Sequence, residues 1–208
     1  MISISFCILK NTNKGLQATS VETVSSSSTG NDLPEINTNN WQVYRNEEWG
    51  FAMRYPKDWN AFFHTKDAEF FSDVDKKYFT MSVQNLPKGT TASCGGVTEI
   101  PDGMTVDVIV TQNGIFQSNR TAQYQDIISD CEKQSEDGKC DTSIRNFNGQ
   151  EFFVVDSWHT LCGYPTAYTF TDNYQYTISP IWSNQVSLNK YDYYSKVFYK
   201  FLENFKVN

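Results

Sequence analysis

The chain has 208 residues, a formal net charge of −7 and an aromatic content of 15%, which suits one ordinary domain with a well-packed core. The acidic charge repels polyanions, and no run of Lys and Arg forms a basic patch, so we expect no nucleic-acid partner and no electrostatic docking on anionic lipid. No stretch reaches the roughly 18 apolar residues that a transmembrane helix needs.

The first 40 residues are predicted to lie outside the folded domain. Residues 2–9 are apolar like the core of a signal peptide, but basic residues before them and a small-residue cleavage site after them are missing. We interpret them as the remnant of an export signal, compatible with a membrane tether upstream, and a non-functional leader is the alternative. The Ser, Thr, Asn and Gly of residues 11–40 are typical of a disordered linker. The domain is predicted to span residues 41–208.

From Trp41 onward, alternating apolar residues predict β-strands. Phe51, Met53 and Tyr55 share one face of the second strand, and this face is predicted to point into the core. The predicted strands and hairpins cover residues 41–44 with 51–55, 60–63, 69–71, 78–83, 143–147 with 151–158 around Asn148-Gly149, and 167–170 with 174–178. Residues 86–103 are predicted to be a loop. Residues 106–116 alternate like a strand but are broken at Gly114, so their assignment stays open.

Two segments have the apolar spacing of helices. Residues 124–131 place Tyr124, Ile127, Ile128 and Cys131 on one side. The C-terminal segment repeats aromatic residues at three- and four-residue steps, namely Tyr191, Tyr194, Phe198, Phe201 and Phe205. Together with the strands, these helices predict an α+β domain in which an antiparallel sheet is flanked by helices.

Four cysteines lie in the predicted domain, at Cys94, Cys131, Cys140 and Cys162, while Cys7 precedes it. A zinc site needs thiolates in close pairs, and no two of these are that close, so two disulfides are favoured over free thiols or a metal. Four cysteines allow three pairings, which the sequence alone does not decide. We favour Cys131 with Cys140, because they bracket a polar flexible stretch, and Cys94 with Cys162. Such bonds persist outside the cytosol.

No catalytic, cofactor-binding or metal-binding residues are predicted. His159 lies three residues before Cys162, but on an extended strand their side chains would face opposite sides. Asp73 and Asp75 are too few ligands for calcium and lack the glycine of a calcium loop. The sequence also has no phosphate-binding loop, zinc-protease helix or nucleophile-elbow serine.

Both ends of the predicted domain resemble the PsbP-like family. Residues 44–59 read as a strand, an acidic turn ending in Gly-Phe, a second strand, and then Tyr-Pro and Trp, and residues 198–207 read as an aromatic helix running into a short last strand. The resemblance implies an α/β/α sandwich. Members of the family include an extrinsic subunit of the photosynthetic oxygen-evolving complex and a Ran-binding nuclear transport factor, so the resemblance implies binding and assembly rather than catalysis.

Four aromatic residues fall outside the predicted core stripes and form a candidate binding surface, namely Trp182, Tyr164, Tyr193 and Tyr199. Ordinary packing is the alternative for them. We therefore expect a monomeric, non-catalytic binding or assembly domain at the cell envelope or outside the cell, with an unknown protein or glycan partner and no cofactor. The alternatives are a secreted carbohydrate-binding module and an unrecognised hydrolase or redox enzyme.

Overall fold

A computed structural model describes residues 35–64, 78–86, 103–112, 120–135, 139–157, 165–182 and 188–208. All of them lie in one compact unit, Leu33–Asn208. The elements in chain order are β1 (Trp41–Asn46), β2 (Phe51–Pro56), β3 (Asn60–His64), β4 (Tyr78–Gln84), β5 (Met104–Gln112), α1 (Arg120–Gln134), β6 (Asp141–Phe147), β7 (Gln150–Ser157), β8 (Thr166–Phe170), β9 (Tyr174–Trp182), α2 (Leu188–Glu203) and β10 (Lys206–Val207).

Seven strands form one antiparallel sheet in the order β3-β4-β5-β9-β8-β7-β6. The three predicted hairpins are present, since β1 pairs with β2, β6 with β7, and β8 with β9 through short connections. The last two of them belong to the large sheet. The turn between β6 and β7 uses Asn148 at φ 50° and Gly149 at φ 86°, as an Asn-Gly hairpin turn requires.

The segment whose assignment the sequence left open is strand β5, which ends at Gln112, before Gly114. Val106, Val108 and Val110 are completely buried, and β5 lies between β4 and β9. The alternation of valines was therefore the correct signal, because one face of this strand lies against the core.

Strands β1, β2 and β10 form a smaller antiparallel sheet. Phe51, Met53 and Tyr55 alternate with more exposed residues along β2 and are at most 8% exposed. Their core face packs against the large sheet, where the ring of Phe51 lies 5.9 Å from that of Phe79 on β4. The Tyr176 hydroxyl on β9 donates a hydrogen bond of 2.9 Å to the Trp49 carbonyl.

Helix α2 packs into the same core as the small sheet. Tyr194, Phe198 and Phe201 belong to one buried cluster with the core face of β2, so the predicted contact between the first hairpin and the last helix is confirmed. Tyr191 is a correction to the predicted stripe, because it is 38% exposed. It lies near the start of α2, where its ring makes a T-shaped contact with that of Trp182 at 5.3 Å.

Helix α1 covers part of the opposite face of the large sheet. A second buried cluster joins Cys131 to Phe153, Tyr168 and neighbouring residues of β7 and β8, and Tyr124 stacks on Phe153 at 4.5 Å. The helix begins four residues before the predicted start at 124, where the polar residues have no apolar periodicity. Helices thus lie on both faces of the sheet, and the predicted α+β class is confirmed.

Candidate binding site

The predicted aromatic surface does not form in the structure as one patch. Trp182 is 1% exposed and stacks on Tyr194 at 6.1 Å, so its placement on a surface was wrong. It ends the central strand β9, and α2 covers it. Tyr193 and Tyr199 are half-buried and pack against the core. They are six residues apart on α2, which separates their directions by about 120° around the helix. Tyr164 lies outside the described residues.

Tyr199 takes part in a polar cluster between α2 and the edge strand β6. The Tyr199 hydroxyl donates to Oδ1 of Asp156 at 3.2 Å, and Arg145 donates to the same oxygen. The Ser143 hydroxyl donates to Oδ2 of Asp156 at 2.7 Å. Both carboxylate oxygens therefore accept hydrogen bonds, and the cluster ties α2 to the sheet edge.

Burial raises the pKa of Tyr124, Tyr168 and Tyr199. It is the main cause that raises the pKa of Tyr199, where the charge of Arg145 opposes the effect and that of Asp156 adds to it. Burial also raises the pKa of Tyr124, whose hydroxyl donates to Glu151 at 3.0 Å. The pKa of Tyr168 rises to about 12, first through burial and then through the charge of Asp130. Each of these phenols is kept protonated and serves as a donor or a packing group.

The disulfide predicted between Cys131 and Cys140 is present. It joins the last turns of α1 to the residue before β6, beside the second buried cluster. The predicted pair of Cys94 and Cys162 lies outside the described residues, as do His159, Asp73, Asp75, residues 87–102 of the predicted loop and the predicted strand 69–71.

A row of side chains that the sequence analysis did not single out crosses five strands of the large sheet. Strand register aligns Phe62 of β3 with Ser82 of β4, Ser82 with Asp107 of β5, and Asp107 with Ser179 of β9. The Ser179 hydroxyl donates to the Thr166 hydroxyl of β8 at 3.3 Å. We call these five residues the Asp107 row.

The Asp107 row lies on the sheet face opposite the main core. Val106 and Val108 are completely buried in that core, and successive side chains of a strand point to opposite faces, so Asp107 points away from it. Phe62, Ser82, Asp107 and Ser179 are half-buried. The row ends at Thr166, which is 8% exposed and pairs with Val155 in the cluster beneath α1.

The surroundings of the Asp107 row are polar but almost uncharged. In a parallel row, the buried Thr105 hydroxyl donates to the amide oxygen of the buried Gln84 at 3.3 Å. Asp107 is the one charged residue in the sequences of β4, β5 and β9, in a chain where charged residues make up 20%. Solvated sheet faces usually carry charged side chains. A sheet face with buried polar groups and few charges therefore indicates a functional surface more strongly than an exposed apolar residue does.

No group of three or more His, Cys, Asp and Glu side chains in the described part of the chain is arranged to bind a metal ion. Among the helices that the structure describes, none is long and apolar enough to cross a membrane.

The fold defines an α+β domain in which a large antiparallel sheet lies between helices. Among solved structures, the chain is similar to cyanobacterial PsbP from Synechocystis sp. PCC 6803, with 11% sequence identity and a TM-score of 0.42, over 85% of this chain and 97% of that one. This similarity concerns the fold alone. No family model matches the sequence, and no match was found among curated proteins.

Proposed function

We propose that the protein is a non-catalytic binding or assembly domain, and that it holds its ligand on the Asp107 row. The observation that carries the proposal is the in-register alignment of a carboxylate between two serines on β4, β5 and β9, which carry no other charged residue. A carboxylate accepts hydrogen bonds, and hydroxyl groups both donate and accept them. Such a row can recognise a ligand with several polar groups.

The rigidity of the sheet supports a binding role. The row is spread over β3, β4, β5, β9 and β8, and each neighbouring pair is joined by an antiparallel ladder. Side chains on such strands are fixed relative to one another before a ligand arrives, which reduces the entropic cost of binding.

The proposed location is the cell envelope or the extracellular space. The bond between Cys131 and Cys140 supports it, because structural disulfides are rare in the reducing cytosol. Alkylation of thiols in protein isolated from its source cells, followed by peptide mass mapping, tests the location. We expect Cys131 and Cys140 in one cross-linked peptide pair. Free, alkylated thiols at both positions would contradict the location and leave the binding site untouched.

The binding role is tested by surface plasmon resonance with the full chain immobilised. Solubilised envelope material from the source organism is passed over the chain, and the amount retained is measured. Ser179→Arg places a long charged side chain on the row. Asn173→Arg adds the same charge at the exposed turn between β8 and β9 and serves as the matched control. Circular dichroism of both variants checks that the fold is retained.

We expect the wild type and Asn173→Arg to retain envelope material and Ser179→Arg to lose most of it. Equal retention by all three proteins would overturn the assignment of the ligand to this row. Absence of retention by the wild type would overturn the binding role itself.

A further inference from the structure

We infer that the ligand of the Asp107 row is a glycan without acidic groups, an inference that rests on the proposed function. The half-buried part of the row presents one carboxylate with a serine on each side. Sugar hydroxyls donate strongly to a carboxylate and exchange hydrogen bonds with hydroxyl side chains. The polar part of the row therefore matches the hydroxyl-bearing edge of a sugar.

The aromatic residue at one end of the row supports the same ligand class. Phe62 lies on the edge strand β3, aligned with Ser82, and is half-buried. Its neighbour Phe63 belongs to the other face, where it stacks on Tyr44 at 5.0 Å. An aromatic ring next to hydrogen-bonding groups offers an apolar surface to the C–H face of a sugar ring while the polar groups bind its hydroxyls.

The extent of the row suits a chain of sugars better than a single small molecule. Neighbouring strands lie about 4.8 Å apart, so the three steps from Phe62 to Ser179, the half-buried part of the row, span about 14 Å. This length accommodates several consecutive rings. A ligand lying across the strands would meet a new hydrogen-bonding side chain at each step.

Charge excludes acidic glycans and phosphorylated ligands. The chain carries a net charge of −7, and the row itself contributes a carboxylate without a Lys or Arg in β4, β5 or β9. Anionic ligands would be repelled at long range by the net charge. A protein partner is disfavoured by the same side chains, because protein interfaces have apolar centres rich in aromatic residues and Met, and this row offers one aromatic ring.

The direct test is isothermal titration calorimetry of the full chain with cellohexaose, chitohexaose and maltohexaose as neutral probes and polygalacturonate as the acidic probe. We expect binding of at least one neutral hexaose and none of polygalacturonate. Asp107→Asn should weaken that binding about tenfold or more, since hydrogen bonds to a charged acceptor contribute strongly. Asp172→Asn, the same charge change on an exposed turn residue, should leave the affinity unchanged.

Two further variants keep the test independent of the folding of Asp107→Asn. Phe62→Ala removes the ring, and Ser179→Ala removes one hydroxyl without changing charge. Each variant should lower the affinity for the hexaose that binds by about threefold to tenfold, because each removes one contact while the others remain. Equal affinity in all three row variants would overturn the inference.

A second experiment separates the ligand class from the proposed function. The envelope material of the retention assay is treated either with periodate, which cleaves vicinal diols, or with protease. Loss of retention after periodate, with retention after protease, supports a glycan. Loss after protease alone, together with no binding of any hexaose, overturns the glycan while the binding role of the row stands.

Discussion

The guanidinium of Arg145 lies over the ring of Tyr199, with Cζ 4.9 Å from the ring centroid, and both side chains contact Oδ1 of Asp156. This arrangement connects the edge strand β6 to α2. Its stability depends on one carboxylate, because Asp156 is the shared acceptor for Arg145, Tyr199 and Ser143.

Replacing Asp156 tests this connection. Asp156→Ala should lower the free energy of unfolding by about 2 kcal/mol, since three partly buried donors lose their acceptor. Asp156→Asn, which keeps an acceptor oxygen but not the charge, should lower it by less. Urea unfolding measures both, with Asp172→Ala as the control at an exposed position. A cost for Asp156→Ala no larger than that of the control would contradict the shared-acceptor role.

The raised pKa of Tyr168 predicts that the folded protein loses stability at alkaline pH. Its pKa in the folded protein is about 12, against about 10 in an unfolded chain. The folded state therefore keeps its proton where the unfolded state has lost it. The resulting stabilisation is complete below pH 10 and is lost as the pH rises towards 12. Two pKa units correspond to about 2 to 3 kcal/mol.

The measurement is urea unfolding of the wild type and of Tyr168→Phe between pH 9 and pH 12. The wild type should lose more stability over this range than Tyr168→Phe, which cannot ionise at that position. Tyr191→Phe, at an exposed tyrosine, should follow the wild type. Parallel pH profiles for the wild type and Tyr168→Phe would show that Tyr168 has no such role.

The disulfide between Cys131 and Cys140 should stabilise α1 against local opening. The two cysteines are nine residues apart, and a closed loop of this length reduces the unfolded-state entropy by roughly 2.5 to 3 kcal/mol in the chain-entropy model. In the Cys131→Ala/Cys140→Ala variant, the free energy of unfolding should be lower than in the wild type by this amount. Hydrogen exchange should rise most in α1. Uniform acceleration over both sheets instead would mean that the bond stabilises the whole domain.

The turn between β6 and β7 offers a test of backbone conformation alone. A Cβ added to Gly149 would meet no atom within 4 Å, yet the residue has φ +86°. Gly149→Ala should therefore cost about 1 kcal/mol through backbone strain and not through a clash. Thermal unfolding measures the cost, with Asp172→Ala at the exposed turn between β8 and β9 as the control. A neutral result would mean that the turn adopts a different conformation in solution.

Local patterns were sufficient to predict most of the elements. The alternation of Phe51, Met53 and Tyr55 identified the buried face of β2, and Asn148-Gly149 identified the turn between β6 and β7. Tyr191 was assigned wrongly to the buried stripe because helical periodicity gives the direction of a side chain but not where the covering sheet ends.

The candidate site could not be predicted in the same way. Its members are Phe62, Ser82, Asp107, Thr166 and Ser179, which are brought together only by the register of five strands. A single strand contained a partial signal, since Asp107 is a charged residue between the buried Val106 and Val108 of β5. The exposed aromatic residues suggested a surface instead, and Trp182 was misplaced because its covering helix follows it in the chain and leaves no local mark on the sequence.

The strand order divides the large sheet into two parts that are each continuous in the chain, β3 to β5 and β6 to β9. The pairing of β5 with β9 joins them and closes the longest connection in this sheet, so it is expected to form after the hairpins on either side. Asp107 and Ser179 lie opposite each other across this junction. A ligand extending along the row would bridge the two parts, and its main kinetic effect on the protein would be to delay their separation during unfolding.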